Sequence, residues 1–317
     1  MTLAPGAYYL VGPTASGKTA CAQKIAEQTG ADVLNADAML VYRNMDIGTA
    51  KPSSAERAAV RYGGLDLVSP SEPCSVTVWL AAARVFAAET QHAGRALLVV
   101  GGTGFYLKAL TEGLHEGTAP DQAVRAHWQT VYDQTGVAGL QSELRTRGAL
   151  AMLPPGDMDN PRRLIRALER TSDGATALPS NWVTPVAMAI APTFAGLAWS
   201  RDDLALRIEA RVDAMFAAGM LDEVARLLPA GLASATTARQ AIGYAEAIEV
   251  LSGQMPLAVA RERIAARTRQ LAKRQRTWFR HQAQVIWIEA DQKINVETLA
   301  EQVYNVWQQT GPAPWPE

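Results

Sequence analysis

Cysteine is nearly absent: Cys21 and Cys74 are too few for a disulfide framework or a cysteine-rich zinc site. The four histidines are scattered, so no structural metal is expected and both thiols are expected to be reduced. No apolar run reaches the roughly 20 residues that span a bilayer. The opening MTLAPGAYYLVG has neither a positive leader region nor a cleavage site. No membrane contact is expected, and a cytoplasmic location is. Internal repeats and low-complexity tracts are missing as well. What remains is a chain of 317 residues with 48% hydrophobic content, enough to bury a sizeable core and to build one large domain carrying a smaller one.

The net charge of −1 offers no general attraction for a polyanion, but its distribution does. Residues 261–281 (RERIAARTRQLAKRQRTWFRH) hold eight Arg or Lys against the single acid Glu262, a local +7 that leaves −8 for the rest of the chain. Segregation of that size points to a localised polyanion contact. Ile264, Leu271 and Trp278 recur every seven residues there, an apolar stripe that can dock on a core. Arg269, Lys273, Arg276 and Arg280 lie nearly opposite, and Arg263, Arg267 and Arg274 form a second row. Carboxylates for i,i+4 pairing are nearly missing, so a phosphate-facing surface is expected rather than a merely solvated one.

Residues 7–11 (AYYLV) read as a strand that ends at Gly12, and a helix follows from Lys18 to about Thr29. DVLNAD (32–37) and ALLVV (96–100) read as further buried parallel strands, which implies an α/β open sheet. From about Glu112 the character changes. Helices are expected at 121–151 and 160–171, separated by Pro154, Pro155 and Gly156, the second started by Asn160 and Pro161, and VAMAIA (186–191) is the next strand-like run. Helices at 201–229 and 238–252 then lead to the basic helix at 256–281 and a late strand at 284–289. The expected organisation is a core over 1–114, a mainly helical insertion over 115–195, and a return to the core over 196–317.

Gly12, Pro13, Thr14, Ala15, Ser16, Gly17, Lys18 and Thr19 satisfy G-x-x-x-x-G-K-[ST] between a strand and a helix. Such a loop curls its N–H groups inward, adds the positive end of a helix and a lysine, and offers Thr19 as a ligand for Mg²⁺. It specifies a diphosphate or triphosphate without specifying whose. A nucleotide hydrolase would add a strand ending in an acid, yet Leu97–Val100 runs into Gly101, Gly102, Thr103 and Gly104. Asp37 is then the acid nearest the crevice at the strands' C-terminal edge, where it could serve as a base, a metal ligand or a helix cap.

Seven ordered segments together resemble the bacterial tRNA dimethylallyltransferases, also called tRNA isopentenyltransferases or IPP transferases. They are GPTASGKT (12–19), NADAMLVYRNMDIGTAKP (35–52), LVVGGTGFYLKAL (98–110), NPRRLIRALE (160–169), RIEARVDAMFAAGMLDEV (207–224), QAIGYAE (240–246) and TRQLAKRQRTWFR (268–280). The resemblance implies a P-loop NTPase-like parallel-sheet core with a helical insertion domain, using its loop for dimethylallyl diphosphate rather than ATP. It makes Asp37 the general base for an adenine amine, places Thr103 at the diphosphate and reacting centre, and gives Arg211 to the diphosphate. It assigns a tRNA anticodon stem-loop to Asp37, Ala38, Met39, Leu40 and Thr103, and to Arg125, Pro161, Arg162, Arg163, Leu164 and Ile165. Further contacts fall to Arg239, Gln240, Ala241, Ile242, Gly243 and Tyr244, and to Gln270, Lys273, Arg274, Gln275, Arg276 and Thr277.

Two departures stand out. Where the family commonly reads Asp-Ser-Met-Gln the chain has Asp37-Ala38-Met39-Leu40, so a side-chain amide available to a base is gone, and the usual His-His-Leu-Ile-Asp stretch appears as Tyr62-Gly63-Gly64-Leu65-Asp66. No Cys/His zinc module of the longer eukaryotic form follows the core. A monomer is expected. A small-molecule P-loop kinase or a prenyltransferase acting on free adenylate would leave the basic helix without a task, and a non-enzymatic RNA-binding module would leave the phosphate loop idle.

Overall fold

The computed structural model describes residues 1–114, 121–172 and 192–316. β1 (Gly6–Val11), buried along its whole length, runs into the glycine-rich loop, and α1 (Lys18–Thr29) leads from there to β2 (Asp32–Asn35). α2 (Ser54–Ala59), held by a reciprocal Ser53–Glu56 capping box, precedes the short β3 (Tyr62–Gly63). α3 (Val76–His92) leads to β4 (Ala96–Gly101) and α4 (Gly104–Glu112). Next come α5 (Gln122–Thr146), α6 (Pro161–Ser172) and β5 (Thr193–Trp199). α7 (Arg201–Ala217), α8 (Met220–Leu227) and α9 (Tyr244–Leu251) follow. α10 (Leu257–Gln282), β6 (Gln284–Ala290) and α11 (Val296–Thr310) complete the described elements.

The strands form a six-stranded sheet in the order β3-β2-β4-β1-β5-β6, parallel throughout. Strands covered on both faces read as apolar runs, as β1 and β4 do; β2 is also buried at every position, with polar Asp32 and Asn35 at its two ends. Val11 lies beside Gly101 and Asn35 beside Val100, so three adjacent strands finish together. Whatever follows β1, β2 and β4 in sequence must therefore meet in space. Cys21 and Ile25 of α1 and Leu299, Val303 and Trp307 of α11 belong to the same core, and the buried indole of Trp307 donates to Tyr9 O at 3.3 Å. Each such large apolar side chain contributes about 1.5–3 kcal/mol on burial.

The chain divides into two compact units, Met1–Glu112 with Pro185–Glu317, and Gly113–Thr184. The second unit has its own core, which includes Trp128, Leu140, Leu144, Leu164 and Leu168. Its buried Glu169 takes Arg125 Nε at 2.6 Å and Arg166 Nη1 at 2.8 Å. Asn160 Oδ1 accepts the amides of Arg162 and Arg163, the cap expected ahead of Pro161.

Several expectations need correction. A boundary at 195 would cut β5, whose Phe194 and Ala195 pair with Val285 and Ile286, so 193–195 belong to the sheet. VAMAIA (186–191) lies outside the described residues. The helix expected over 201–229 is two, broken at Gly219 with φ 97°. The helix expected over 121–151 ends at Thr146 and is interrupted at Gly136 with φ 66°. The stretch 238–252 opens with a 3₁₀ turn, Ala238–Gln240, before α9 begins. α11 was not anticipated.

Candidate phosphate and nucleic-acid site

Gly17 starts α1 in the left-handed region, φ 92°, and no side chain caps the helix. The amides of Gly17, Lys18 and Thr19 have no acceptor among the described residues, which leaves them for an anion at the helix N-terminus. Not every amide of the loop is free. Thr14 N–H donates to Gln275 Oε1 at 2.8 Å and Ser16 N–H to Pro13 O at 3.3 Å. Ser16 keeps its hydroxyl buried without a partner among the described residues, so only its backbone serves the loop. Lys18 opens on the cavity but is walled in by protein elsewhere, with Nζ donating to Pro13 O at 2.7 Å. Burial pushes its ammonium down to about 8, with Asp37 pulling it up and Arg211 pushing it further down.

Two arginines of α7 complete the cationic wall. Arg211 Nη1 donates to Thr14 Oγ1 at 3.4 Å and Nη2 to Thr49 O at 3.3 Å. Arg207 Nε donates to Ala15 O at 2.8 Å while its guanidinium lies 4.1 Å from the ring centre of Trp199, whose indole holds Ser16 O at 3.0 Å. Burial lowers both guanidinium pKa values, Arg211 against the opposing pull of Asp37. Arg207 was missed in sequence, although it stands four residues before Arg211 and so on the same helix face.

β2 ends at Asn35, two residues before Asp37. The buried Asn35 amide accepts Asp37 N–H at 3.0 Å and donates to Asp37 O at 3.1 Å and Gly64 O at 3.0 Å. Asp37 Oδ1 accepts Met39 N–H at 3.0 Å, and its other oxygen has no partner among the described residues. One carboxylate oxygen thus caps the turn and the other is left for chemistry. Thr103 Oγ1 accepts Ala38 N–H at 3.0 Å, so this hydroxyl secures the Asp37 loop across the crevice rather than its own turn. Gly101 explains the absent strand-end acid: a Cβ there would stand 2.2 Å from Ala36 O.

Two cavities meet at these groups. One, of about 490 Å³, is lined by residues 14–20 with Asn35, Asp37, Arg207 and Arg211. The other, of about 570 Å³, has an apolar wall that includes Ile208, Val212, Met215, Ile242 and Leu271, and it reaches Arg267 and Arg274 of α10. Thr14, Asp37, Leu40, Thr49 and Arg211 line both. The Thr19 hydroxyl lines the first cavity without a partner among the described residues. Among the described residues no group of three or more His, Cys, Asp or Glu could hold a metal ion, and Thr19 is the residue of the first cavity whose hydroxyl oxygen could meet a hard cation.

The expected polyanion face is narrower than its charge count. Arg261 pairs with Asp213 at 3.4 Å, Arg263 with Glu249 at 3.0 Å, Arg269 with Glu209 at 3.2 Å, and Arg267 with the buried Glu246. Lys273, Arg274, Arg276 and Arg280 have no ion pair among the described residues. The buried face of α10 is Ala260, Ile264, Ala265, Thr268, Ala272, Gln275 and Phe279, whereas Leu271 and Trp278 are partly exposed.

Of the positions carried over to RNA contact, Arg162, Arg163, Arg239, Gln240, Gln270, Lys273, Arg274 and Thr277 are exposed; Pro161 and Arg276 are partly so. Ala38, Met39 and Ile242 line the second cavity. Leu164 and Ile165 instead pack in the second unit's core, and the guanidinium of Arg125 is committed to Glu169. Ala241 and Gly243 are buried, and Tyr244 is fully so. The Tyr244 hydroxyl donates to Glu223 Oε1 at 2.7 Å, and burial raises its pKa. Glu223 also accepts the amides of Asp46, Ile47 and Gly48 at 2.9, 2.7 and 3.2 Å. These two side chains shape the 46–48 turn and are closed to a ligand.

A parallel α/β sheet whose glycine-rich loop, with Lys18, Arg207 and Arg211, lines a cavity of about 490 Å³ defines a P-loop protein. A family model described as IPP transferase matches residues 40–282, and one described as isopentenyl transferase matches residues 5–65. The chain is 39% identical over 296 residues to tRNA dimethylallyltransferase 2 of Syntrophus aciditrophicus, covering 90% of this chain and 92% of that protein. It is 42% identical over 287 residues to the tRNA dimethylallyltransferase of Opitutus terrae, covering 86% and 89%. The full-length tRNA isopentenylpyrophosphate transferase of Bacillus halodurans shares the fold with a TM-score of 0.67 at 32% identity, covering 96% of this chain and 97% of that one. The chain belongs to the IPP transferase family.

Proposed function

We propose that this protein transfers a dimethylallyl group from dimethylallyl diphosphate to the N6 amine of the adenine just 3′ of the anticodon in tRNA, releasing diphosphate. The observation that carries this reading is the junction of the two cavities at Asp37. On one side lie the phosphate loop, Lys18, Arg207 and Arg211; on the other lie an apolar wall suited to a prenyl chain and the cations of α10. An exocyclic adenine amine is a poor nucleophile, its lone pair being delocalised into the ring. The reaction therefore depends on stabilising the departing diphosphate, and preorganised donors at a developing anion are worth a few kcal/mol each.

The free amides of residues 17–19, with Lys18 and Arg211, would bind that anion. The unpartnered oxygen of Asp37 would take the amine proton as the C–N bond forms, and Thr103 would keep the Asp37 loop in place. Thr19 would hold Mg²⁺, which when bound supplies positive charge to the leaving diphosphate. The target base has to leave its stack to reach the junction, which an anticodon loop permits. Lys273, Arg274 and Arg276 would take phosphates of the stem-loop, joined by Gln270 and Thr277. The protein would act as a cytoplasmic monomer. No described helix is long and apolar enough to cross a membrane.

The test is incubation with radiolabelled dimethylallyl diphosphate and tRNA, AMP or neither, with Mg²⁺. Label on a single tRNA adenine is expected. Label on AMP in place of tRNA would overturn the assignment of acceptor, and phosphoryl transfer from ATP to a small molecule would overturn the reaction class.

A further inference from the structure

Gln275, carried over to RNA contact with its neighbours, lies on α10 between Arg274 and Arg276, but its side chain is buried and turned away from that face. Its Oε1 accepts Thr14 N–H at 2.8 Å and its Nε2 donates to Gly102 O at 3.1 Å. One amide therefore fastens the helix to the phosphate loop and to the loop after β4. The approach is close: a Cβ on Gly102 would stand 2.3 Å from Gln275 Nε2. One turn further along, Trp278 covers Gly104, where a Cβ would stand 2.2 Å from the indole. Thr103, between those glycines, carries the hydroxyl that holds Ala38 beside Asp37. Thr14, at the other end of the clamp, takes Arg211 on its own hydroxyl at 3.4 Å.

Direct contacts thus lead from α10 to the diphosphate arginine on one side and to the candidate base on the other. The same helix turns outward the cations that have no ion pair among the described residues. A ligand on that outer face can favour a second ligand only if it changes the free energy of a contact that both feel, and the Gln275 amide is such a contact.

We propose that Gln275 is a positioning residue that couples the two substrates: RNA on the outer face of α10 firms the clamp on Thr14 and Gly102, and the firmed loop binds diphosphate more tightly. This rests on the reading of α10 as an RNA-binding face. The clamp fixes the direction of the Thr14 amide and hydroxyl, and through them the reach of Arg211. Met at position 275 would fill a similar volume while making neither hydrogen bond.

The test measures the affinity for inorganic diphosphate, with Mg²⁺, in the presence and absence of an unmodified tRNA anticodon stem-loop. RNA should raise diphosphate affinity at least about fivefold in the native protein and less than about twofold in Gln275→Met, which should still bind the RNA. RNA that binds the native protein without altering diphosphate affinity overturns the inference, as does a gain that survives in Gln275→Met. RNA that does not bind the native protein at all overturns the functional reading, and the inference with it. Should Gln275→Met fail to fold, hydrogen exchange at the Thr14 amide of the native protein decides: slowing on addition of RNA supports the clamp, and an unchanged rate overturns it.

Discussion

Lys18 is a cation that burial discourages until its ligand arrives. Its pKa of about 8 means that the free protein loses the ammonium proton as the pH rises through that value. A bound diphosphate favours the charged form and raises the pKa, so binding takes up a proton where the free group is neutral. Lys18 should account for a proton uptake on binding that grows as the pH rises through about 8, with affinity falling over the same interval. Calorimetry in buffers of different ionisation enthalpy reads the uptake, and its rise with pH should vanish in Lys18→Met; a rise that persists there would assign the proton elsewhere. At Asp37 the expected outcome is kinetic. Asp37→Asn retains an acceptor for Met39 N–H but no base, so single-turnover transfer should slow by about 10²-fold or more with donor affinity kept. A Mg²⁺-dependent loss of donor affinity would make Asp37 part of a metal site instead. The loop from Gly12 to Thr19 was legible in sequence because its pattern is local. Gln275 was not legible as a clamp: its two partners lie 261 and 173 residues away, and no local pattern records which way an amide on a helix turns. Tyr244 has the same difficulty, since its partner Glu223 sits on α8 and the amides they serve belong to an earlier turn.

Among the elements, α10 shows why a hydrophobic count fell short. Its buried face follows the helical period through Ala260, Ile264, Thr268, Gln275 and Phe279, and two of those residues are polar. Thr268 returns its hydroxyl to Ile264 O at 2.7 Å and Gln275 serves the loops, so neither is left unsatisfied by burial. A search for apolar positions passes over them and selects Leu271 and Trp278 instead. Charge pairing was misread for a related reason: the partners of Arg261, Arg263, Arg267 and Arg269 come from α7 and α9 rather than from within α10. Replacing Lys273, Arg274 and Arg276 by Gln should make log affinity for tRNA depend less steeply on log salt, by about 0.7–0.9 per lost contact. Replacing Arg263, already paired with Glu249, should leave the slope nearly unchanged. Equal effects from the paired and unpaired sets would count against α10 as the contact. α11 was legible in principle, since Leu299, Val303 and Trp307 recur at four-residue spacing behind the Asn295 cap.

For the whole molecule, the consequential division is into two compact units with separate cores. The core's parallel sheet was legible because buried strands read as apolar runs, whereas the far limit of the insertion was not, because TFAGLAW carries a glycine and a threonine within the strand that rejoins the sheet. The residues proposed to bind diphosphate lie in the first unit, so at about a hundred times its dissociation constant the ligand should stabilise that unit by about 2.7 kcal/mol and leave the second alone. Hydrogen exchange should accordingly slow in β1 and β4 while α5 and α6 keep their rates; equal slowing in both would mean that they open as one. The contact between Gly101 and Ala36 has an evolutionary consequence. Any side chain at 101 must evict the Ala36 carbonyl, which stands 2.2 Å from the place of its Cβ, and disturb the turn that presents Asp37. A carboxylate at position 101 and the present placement of Asp37 are therefore mutually exclusive in this backbone, and no single substitution there adds a strand-end acid without displacing that turn.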